Sequence, residues 1–235
     1  MTRFAHSIVA ISGAAGNLGR AVATRFAAEG ASLVLLDRDS PSLSELEKSL
    51  PGTHLVVPVD LTDRAAVRGA IDTAGDRLGT ISVACALAGG FAMGPAAHET
   101  SAADWDRMHT LNLGTLTPLL AAVTPSMIAA RSGKIVTVGA HAALKGVPGM
   151  AAYCAAKSAV MRVTESAAAE LRGHGINVNC VLPTVLDTPA NREAMPDVEP
   201  TKWVSPAQLA AVVAFLASDD ASAIHGALLP VTSLS

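Results

Sequence analysis

The chain has 235 residues, 50% of them hydrophobic and 16% charged, with a formal net charge of -3. That is enough apolar material for one sizeable α/β core, and it excludes a disordered chain. The small negative charge and the lack of basic runs argue against nucleic acid or an anionic membrane as the main partner.

The opening "MTRFAHSIVAISGAAG" combines a basic residue with an apolar run, as a secretory signal does, but the glycines that follow identify it as a first strand. "SIVAISGAAGNLGRAVA" reads as strand, glycine turn and helix start, with Gly13, Gly16 and Gly19 evenly spaced and Asn17 and Leu18 between the last two. Glycines permit a tight turn and let backbone amides at a helix N-terminus approach a pyrophosphate. The second strand, "SLVLLD", ends at Asp37, where a carboxylate can accept hydrogen bonds from adenosine ribose hydroxyls. This favours NAD(H). Arg38 partly offsets the repulsion that Asp37 presents to a 2'-phosphate, so NADP(H) stays open.

The third strand, "THLVVPVD", ends at Asp60. Asp60 and Leu61 either flank an adenine ring, or Asp60 only caps the next helix, "DRAAVRGAIDTAGDRLG", for which Thr62 and Asp63 are also candidate N-caps. The fourth strand, "ISVACALAG", closes on Ala88, Gly89 and Gly90, small residues that let the chain pass near a cofactor. Ser101, with Asp104 three residues on, starts a helix in a near capping box. "LGTLTPLLAAVTPSMIAA" is the most apolar later stretch, but Pro118, Pro125 and several threonines interrupt it, so it reads as a buried or interface helix and not a membrane span.

The fifth strand, "KIVTVGA", leads into a helix on which Tyr153 and Lys157 lie four positions apart, on one face. An ammonium beside a phenol favours the phenolate and lowers its pKa, which suits proton transfer at a carbonyl. The last strands are "INVNCVLP" and "ALLPVT". Between them, residues 183–206 form a long irregular stretch expected to be a lid or substrate loop, with Asn191, Arg192 and Trp203 either contacting substrate or forming ordinary loop surface.

Nearly continuous apolar strands alternate with helices that mostly end at glycine. This pattern predicts a single domain over 1–235: a Rossmann-type, doubly wound parallel sheet with helices on both faces. Cys85, Cys154 and Cys180 lack any close paired spacing and read as small buried residues of a reduced, cytoplasmic, soluble protein without a metal site.

Taken in order, "SGAAGNLG", Asp37, "DL" at 60–61, "LAGG" at 87–90, Asn112, Tyr153-x-x-x-Lys157 and "PTVLDTP" at 183–189 resemble the short-chain dehydrogenase/reductase family over essentially the full chain. The resemblance implies that Tyr153 is the catalytic acid/base. It implies that Lys157 binds the nicotinamide ribose and lowers the tyrosine pKa, and that Asn112 holds a relay water. Pro183, Val185 and Thr188 join the implied cofactor contacts. A homo-oligomer, dimer or tetramer, is implied as well, and the small-residue helices "TLTPLLAAVTPSMIAA" and "SAVMRVTESAAAEL" suit such packing.

Three positions depart from the family pattern. Ala140 stands where the family has its catalytic serine, "ALAG" replaces "NNAG", and Thr184 replaces a glycine. His141 is adjacent to Ala140, but neighbours at a strand end point to different sides. A narrower resemblance, carried by "VGAHAALKGVPGMAAYCAAKSAV", "VLPTVLDTPANREAMP" and "LAGGF", is to the dihydropteridine reductase branch, which also has alanine at that position; Phe91 replaces its tryptophan. This implies NADH-dependent reduction of a quinonoid dihydropterin, a small-molecule substrate near Phe91, Ala140 and His141. An electron-deficient quinonoid needs less help from a serine hydroxyl than a plain ketone does. The alternatives are a general ketone reductase or alcohol dehydrogenase, and a non-catalytic NAD-binding protein.

Overall fold

The computed structural model describes residues 2–38 and 41–233. Its strands are β1 (Ile8–Ser12), β2 (Ser32–Asp37), β3 (His54–Pro58), β4 (Val83–Ala86), β5 (Gly133–Val138), β6 (Ile176–Pro183) and β7 (Leu228–Val231). They form one parallel sheet in the order β3-β2-β1-β4-β5-β6-β7. The α-helices are α1 (Asn17–Ala28), α2 (Pro41–Ser49), α3 (Arg64–Leu78), α4 (Ala102–His109), α5 (Leu116–Ala130), α6 (Ala151–Leu171), α7 (Pro189–Ala194) and α8 (Pro206–Leu216).

The unbroken apolar strands follow from burial on both faces. Val9, Ile11, Leu33 and Leu35 share one core with Val22 and Phe26 of α1 and Leu209 and Val213 of α8. Ile8, Ala10, Val34 and Leu36 share the other with Val67 of α3, Leu119 of α5 and Val160 of α6. Strand order reverses between β1 and β4, which opens a crevice beyond their C-terminal ends, where ligands of such sheets bind.

Asp63 is the N-cap of α3: its Oδ1 accepts from the Ala65 N–H at 2.9 Å and the Ala66 N–H at 3.0 Å. Ser101 caps α4, accepting from the Asp104 N–H at 3.1 Å and donating to Asp104 Oδ2 at 2.8 Å. A π-helical turn, Thr110–Gly114, joins α4 to α5. The combined helix Ala102–Ala130 is long and apolar enough to cross a membrane by length and composition, the one such helix among the described residues. In this fold it covers the sheet, with Leu116, Leu119, Val123 and Met127 in the core beside α3 and α6.

The segment 183–206 is more ordered than its proline content suggests. It contains α7, and a parallel bridge joins Leu186 to Val204. The Asp187 N–H donates to the Val204 carbonyl at 2.9 Å, and the Val204 N–H to the Val185 carbonyl at 3.0 Å. Trp203, a candidate substrate contact, is buried and anchors the segment. Asn191 Nδ2 donates to the Leu186 carbonyl at 2.8 Å, and Arg192 makes a two-pronged pair with Asp187 at 2.6 and 2.8 Å. All three side chains therefore serve the internal structure of the segment.

Candidate active site

The glycine turn is held against the chain leaving β4. Ser12 Oγ accepts from the Leu87 N–H at 3.2 Å and the Ala88 N–H at 3.4 Å. Gly13 has φ +70°, and a Cβ there would lie 2.8 Å from Ala88 backbone atoms. At Gly19 a Cβ would lie 2.1 Å from the Gly13 carbonyl oxygen, so close helix–turn packing demands glycine. Gly16, the N-cap of α1, is less crowded, with only that same oxygen at 3.4 Å. Asn17, Leu18 and Gly19 form the first turn of α1, which carries no acidic side chain. The arrangement fits a pyrophosphate, whose charge the helix N-terminus favours.

Asp37 closes β2 beside this turn. Its Oδ2 accepts from the Ala15 N–H at 3.0 Å and its Oδ1 from the Arg38 N–H at 2.8 Å. Asp60 is exposed, and its Oδ1 accepts from the Thr62 N–H at 2.9 Å and the Thr62 hydroxyl at 2.7 Å. These two bonds, with a smaller contribution from Arg38, hold its carboxyl below the usual aspartate value. The capping role considered for Asp60 thus belongs to Asp63, while Leu61 is buried in the α3-side core.

Asn112 sits in the π-helical turn and is buried. Its Oδ1 accepts from the Gly90 N–H at 3.2 Å, and its Nδ2 donates to the Gly90 carbonyl at 3.0 Å and the Met108 carbonyl at 2.9 Å. The side chain thereby clamps the strand-end turn after β4. A Cβ on Gly89 would lie 2.8 Å from Asn112 Oδ1 and 3.1 Å from Lys157 Nζ, so glycine lets this turn nest between them. Lys157 is 6% exposed, and its Nζ donates to the Val138 carbonyl at 2.8 Å. Burial lowers its pKa to about 8.

Tyr153 lies one helical turn earlier, with its ring edge-on to Phe91 at 5.0 Å between centroids. Burial, with a small effect of Cys154, raises its pKa to about 12. This corrects the expectation that the neighbouring ammonium lowers it. Lys157 is turned to Val138, and desolvation of the phenolate dominates.

Ala140 is 4% exposed and packs with Ala143, Met161, Cys180, Leu182 and Tyr153. His141 is exposed at the start of a short 3-10 turn, so the two neighbours face different surroundings. Phe91, Met93 and Leu144 are 53%, 64% and 52% exposed, which makes them surface apolar groups and not core. The Gly94 N–H donates to the Gly149 carbonyl at 2.8 Å, tying the chain after Phe91 to the approach to α6. Pro183 ends β6, Val185 holds the Val204 N–H, and Thr188 caps α7 by accepting from the Asn191 N–H at 3.2 Å. Ser12 and Val138 are site-building residues that sequence reasoning missed; a main-chain carbonyl such as Val138's has no side-chain signature.

A family model described as "Enoyl-(Acyl carrier protein) reductase" matches residues 13–233. The chain is 34% identical over 238 residues to meso-2,3-butanediol dehydrogenase of Serratia marcescens, covering 97% of this chain and 94% of that one. The solved structure of levodione reductase superposes with a TM-score of 0.91 at 29% identity, covering 98% of this chain and 97% of the other. Carveol dehydrogenase from Mycobacterium avium, solved in complex with NAD, gives a TM-score of 0.90 at 30% identity, covering 98% of each.

Proposed function

The chain belongs to the short-chain dehydrogenase/reductase family and is an oxidoreductase of that kind, and from this premise we propose that it uses NADH to reduce a polar, conjugated or quinonoid small molecule. Quinonoid dihydropterin is the leading candidate substrate. The reading rests on one observation: the position beside Tyr153 where a second hydroxyl would hold the substrate oxygen is Ala140, set in an apolar cluster. A substrate already electron-deficient needs less electrophilic help there.

The nicotinamide supplies the hydride when bound. The glycine turn and the first turn of α1 would hold the pyrophosphate of the dinucleotide, Asp37 would accept from its adenosine ribose and Lys157 would serve its second ribose, with Pro183, Val185 and Thr188 as the further contacts that the family resemblance implies. With a pKa near 12 the Tyr153 phenol keeps its proton at neutral pH and is ready to donate it. Asn112 holds the strand-end turn and the Val138 carbonyl holds Lys157, so positioning and proton transfer carry the chain's share of catalysis.

A second reading, a dehydrogenase of simple alcohols and ketones, is favoured by the similarity to a butanediol dehydrogenase. A panel run with NADH and NADPH separates the two: quinonoid dihydropterin, quinones and diketones against simple ketones, with meso-2,3-butanediol and NAD+ in the reverse direction. NADH binding without turnover of any of them would leave a nucleotide-binding protein. Ala140→Ser is expected to raise kcat/KM for a simple ketone by about 10²-fold, the usual worth of one such donor. An unchanged value would show that the missing hydroxyl does not limit the substrate range.

We also propose a homo-oligomer built on α5 and α6, where Leu120, Thr124 and Ile128 face a surface groove with Val163 and Ala167. Light scattering on the purified protein is expected to give a multiple of the 23.8 kDa chain mass. A monomer mass would remove this proposal.

A further inference from the structure

Residues 90–94, beyond β4, form a strap that is held at both ends. At the near end the Gly90 N–H donates to Asn112 Oδ1 at 3.2 Å, and Asn112 Nδ2 donates to the Gly90 carbonyl at 3.0 Å. At the far end the Gly94 N–H donates to the Gly149 carbonyl at 2.8 Å, just before α6 begins at Ala151. Gly149 has φ +73°, and a Cβ there would lie 3.2 Å from the Gly94 carbonyl oxygen, so the close approach suits glycine. The strap is thereby pinned to the start of the helix that carries Tyr153.

Side chains along the strap alternate. Ala92 packs on the cluster of Met108, Ala152 and Ala156 that Tyr153 also touches, while Phe91 and Met93 stay exposed. Phe91 adds little to the core, yet its ring meets the Tyr153 ring at 84°, the edge-to-face arrangement that aromatic pairs favour. On its other side the phenol ring packs on the apolar cluster of Ala140, Met161 and Leu182. Among the described residues no group hydrogen-bonds the Tyr153 hydroxyl, and Ala140 has no hydroxyl to offer it. Packing alone therefore orients the proton donor.

We propose that Phe91 is a positioning residue for Tyr153: held in place by the strap, its ring fixes the phenol and keeps water from its flank. The direction in which burial moves the phenol pKa agrees with such a shield. Asn112 and Gly149 serve the same end, since they fix the two ends between which Phe91 sits. The inference rests on the reading of Tyr153 as proton donor, but its first test needs no substrate.

Tyr153 is the single tyrosine of the chain, so tyrosinate absorbance after rapid pH jumps and the NMR signals of ring-labelled tyrosine report on it alone. Phe91→Ala and Phe91→Leu are expected to lower the titration midpoint by about one unit and to speed the flipping of the ring; Phe91→Trp, which keeps an aromatic wall, restores both. With the compound of the panel that is turned over, Phe91→Ala is expected to lower kcat by about tenfold and to change KM by less than about twofold. In a Tyr153→Phe background the same substitution adds no further loss, because Phe91 acts through the phenol. An unchanged titration and ring motion would overturn the proposal, whatever happens to stability. A shifted titration with kcat unaltered would overturn the positioning role, and a rise in KM alone would make Phe91 a substrate contact instead. Wild-type turnover in Tyr153→Phe would overturn the proton-donor reading, and the titration would still decide whether Phe91 shields the phenol.

Discussion

Tyr153→Phe is expected to lower kcat by about 10²- to 10⁴-fold, the usual contribution of a positioned general acid. NADH affinity should stay close to wild type, since only the phenolic oxygen is removed. The substitution keeps the ring, and with it the edge contact to Phe91 and the packing beside Ala140, so the fold has no reason to change. Stopped-flow NADH oxidation measures the chemical step, and a fluorescence titration of the same variant measures the nucleotide. Turnover that persists at the wild-type rate would remove Tyr153 from the proton-donor role and require another acid in the crevice. Because burial holds the phenol pKa near 12, the donor's protonation is not what limits the rate between pH 6 and about 9.

Lys157→Met is expected to abolish most activity and, at neutral pH, to stabilise the protein. Lys157 is almost fully buried, and its folded pKa of about 8 lies below the ordinary lysine value of 10.5. Below pH 8 the side chain is charged in both folded and unfolded chains, so the folded state bears the full cost of burying an ammonium. Between pH 8 and about 10.5 the unfolded chain binds more protons than the folded one, and wild-type stability rises with pH. The gain from Lys157→Met is therefore largest below pH 8 and shrinks across that window. Loss of the bond to the Val138 carbonyl offsets part of it. Denaturant midpoints for both proteins at pH 7 and pH 10 measure the difference; a gap that does not narrow would contradict the charge-burial account. Tyr153 acts in the opposite sense at higher pH. Its raised pKa makes the folded state the tighter proton binder from about pH 10 to 12, so stability falls there in both proteins. Such a result would be a trade of stability for function at one buried cation.

Much of the fold is legible because two-face burial writes itself as apolar runs. "SLVLLD" and "INVNCVLP" coincide with β2 and β6 residue for residue. "ISVACALAG" does not: only Val83–Ala86 pairs in the sheet, because the following backbone is taken by Ser12 and then by Asn112. The 183–206 segment misled because proline and polar residues mark turns without saying whether the turns are folded onto something; the buried Trp203 decides that. At the site, the sequence set Tyr153 and Lys157 on one helix face and brought in Asn112 only through a family resemblance; that Gly89 lies against Asn112 and Lys157 is a finding of the structure. The sequence did not show where the ammonium points, because its acceptor is a carbonyl at the end of a different strand. The comparisons support the family and not the dihydropteridine reductase branch in particular, so that finer resemblance rests on a few residues around Ala140 and Phe91.

The strand order has a consequence for how the chain acquires its shape. Among the described strands β1 precedes the others in the chain, and β2 and then β3 extend the sheet from only one of its edges. Its other edge stays unpaired until β4 arrives, with Val9 meeting Val83 and Ser12 meeting Ala86. Until then a highly apolar strand presents free N–H and C=O groups, the kind of edge on which nascent chains misassociate. After β4, strands β5, β6 and β7 are added outward in the order they leave the ribosome. The crevice between β1 and β4 is thus both the place where the chemistry is assembled and the seam on which productive folding waits.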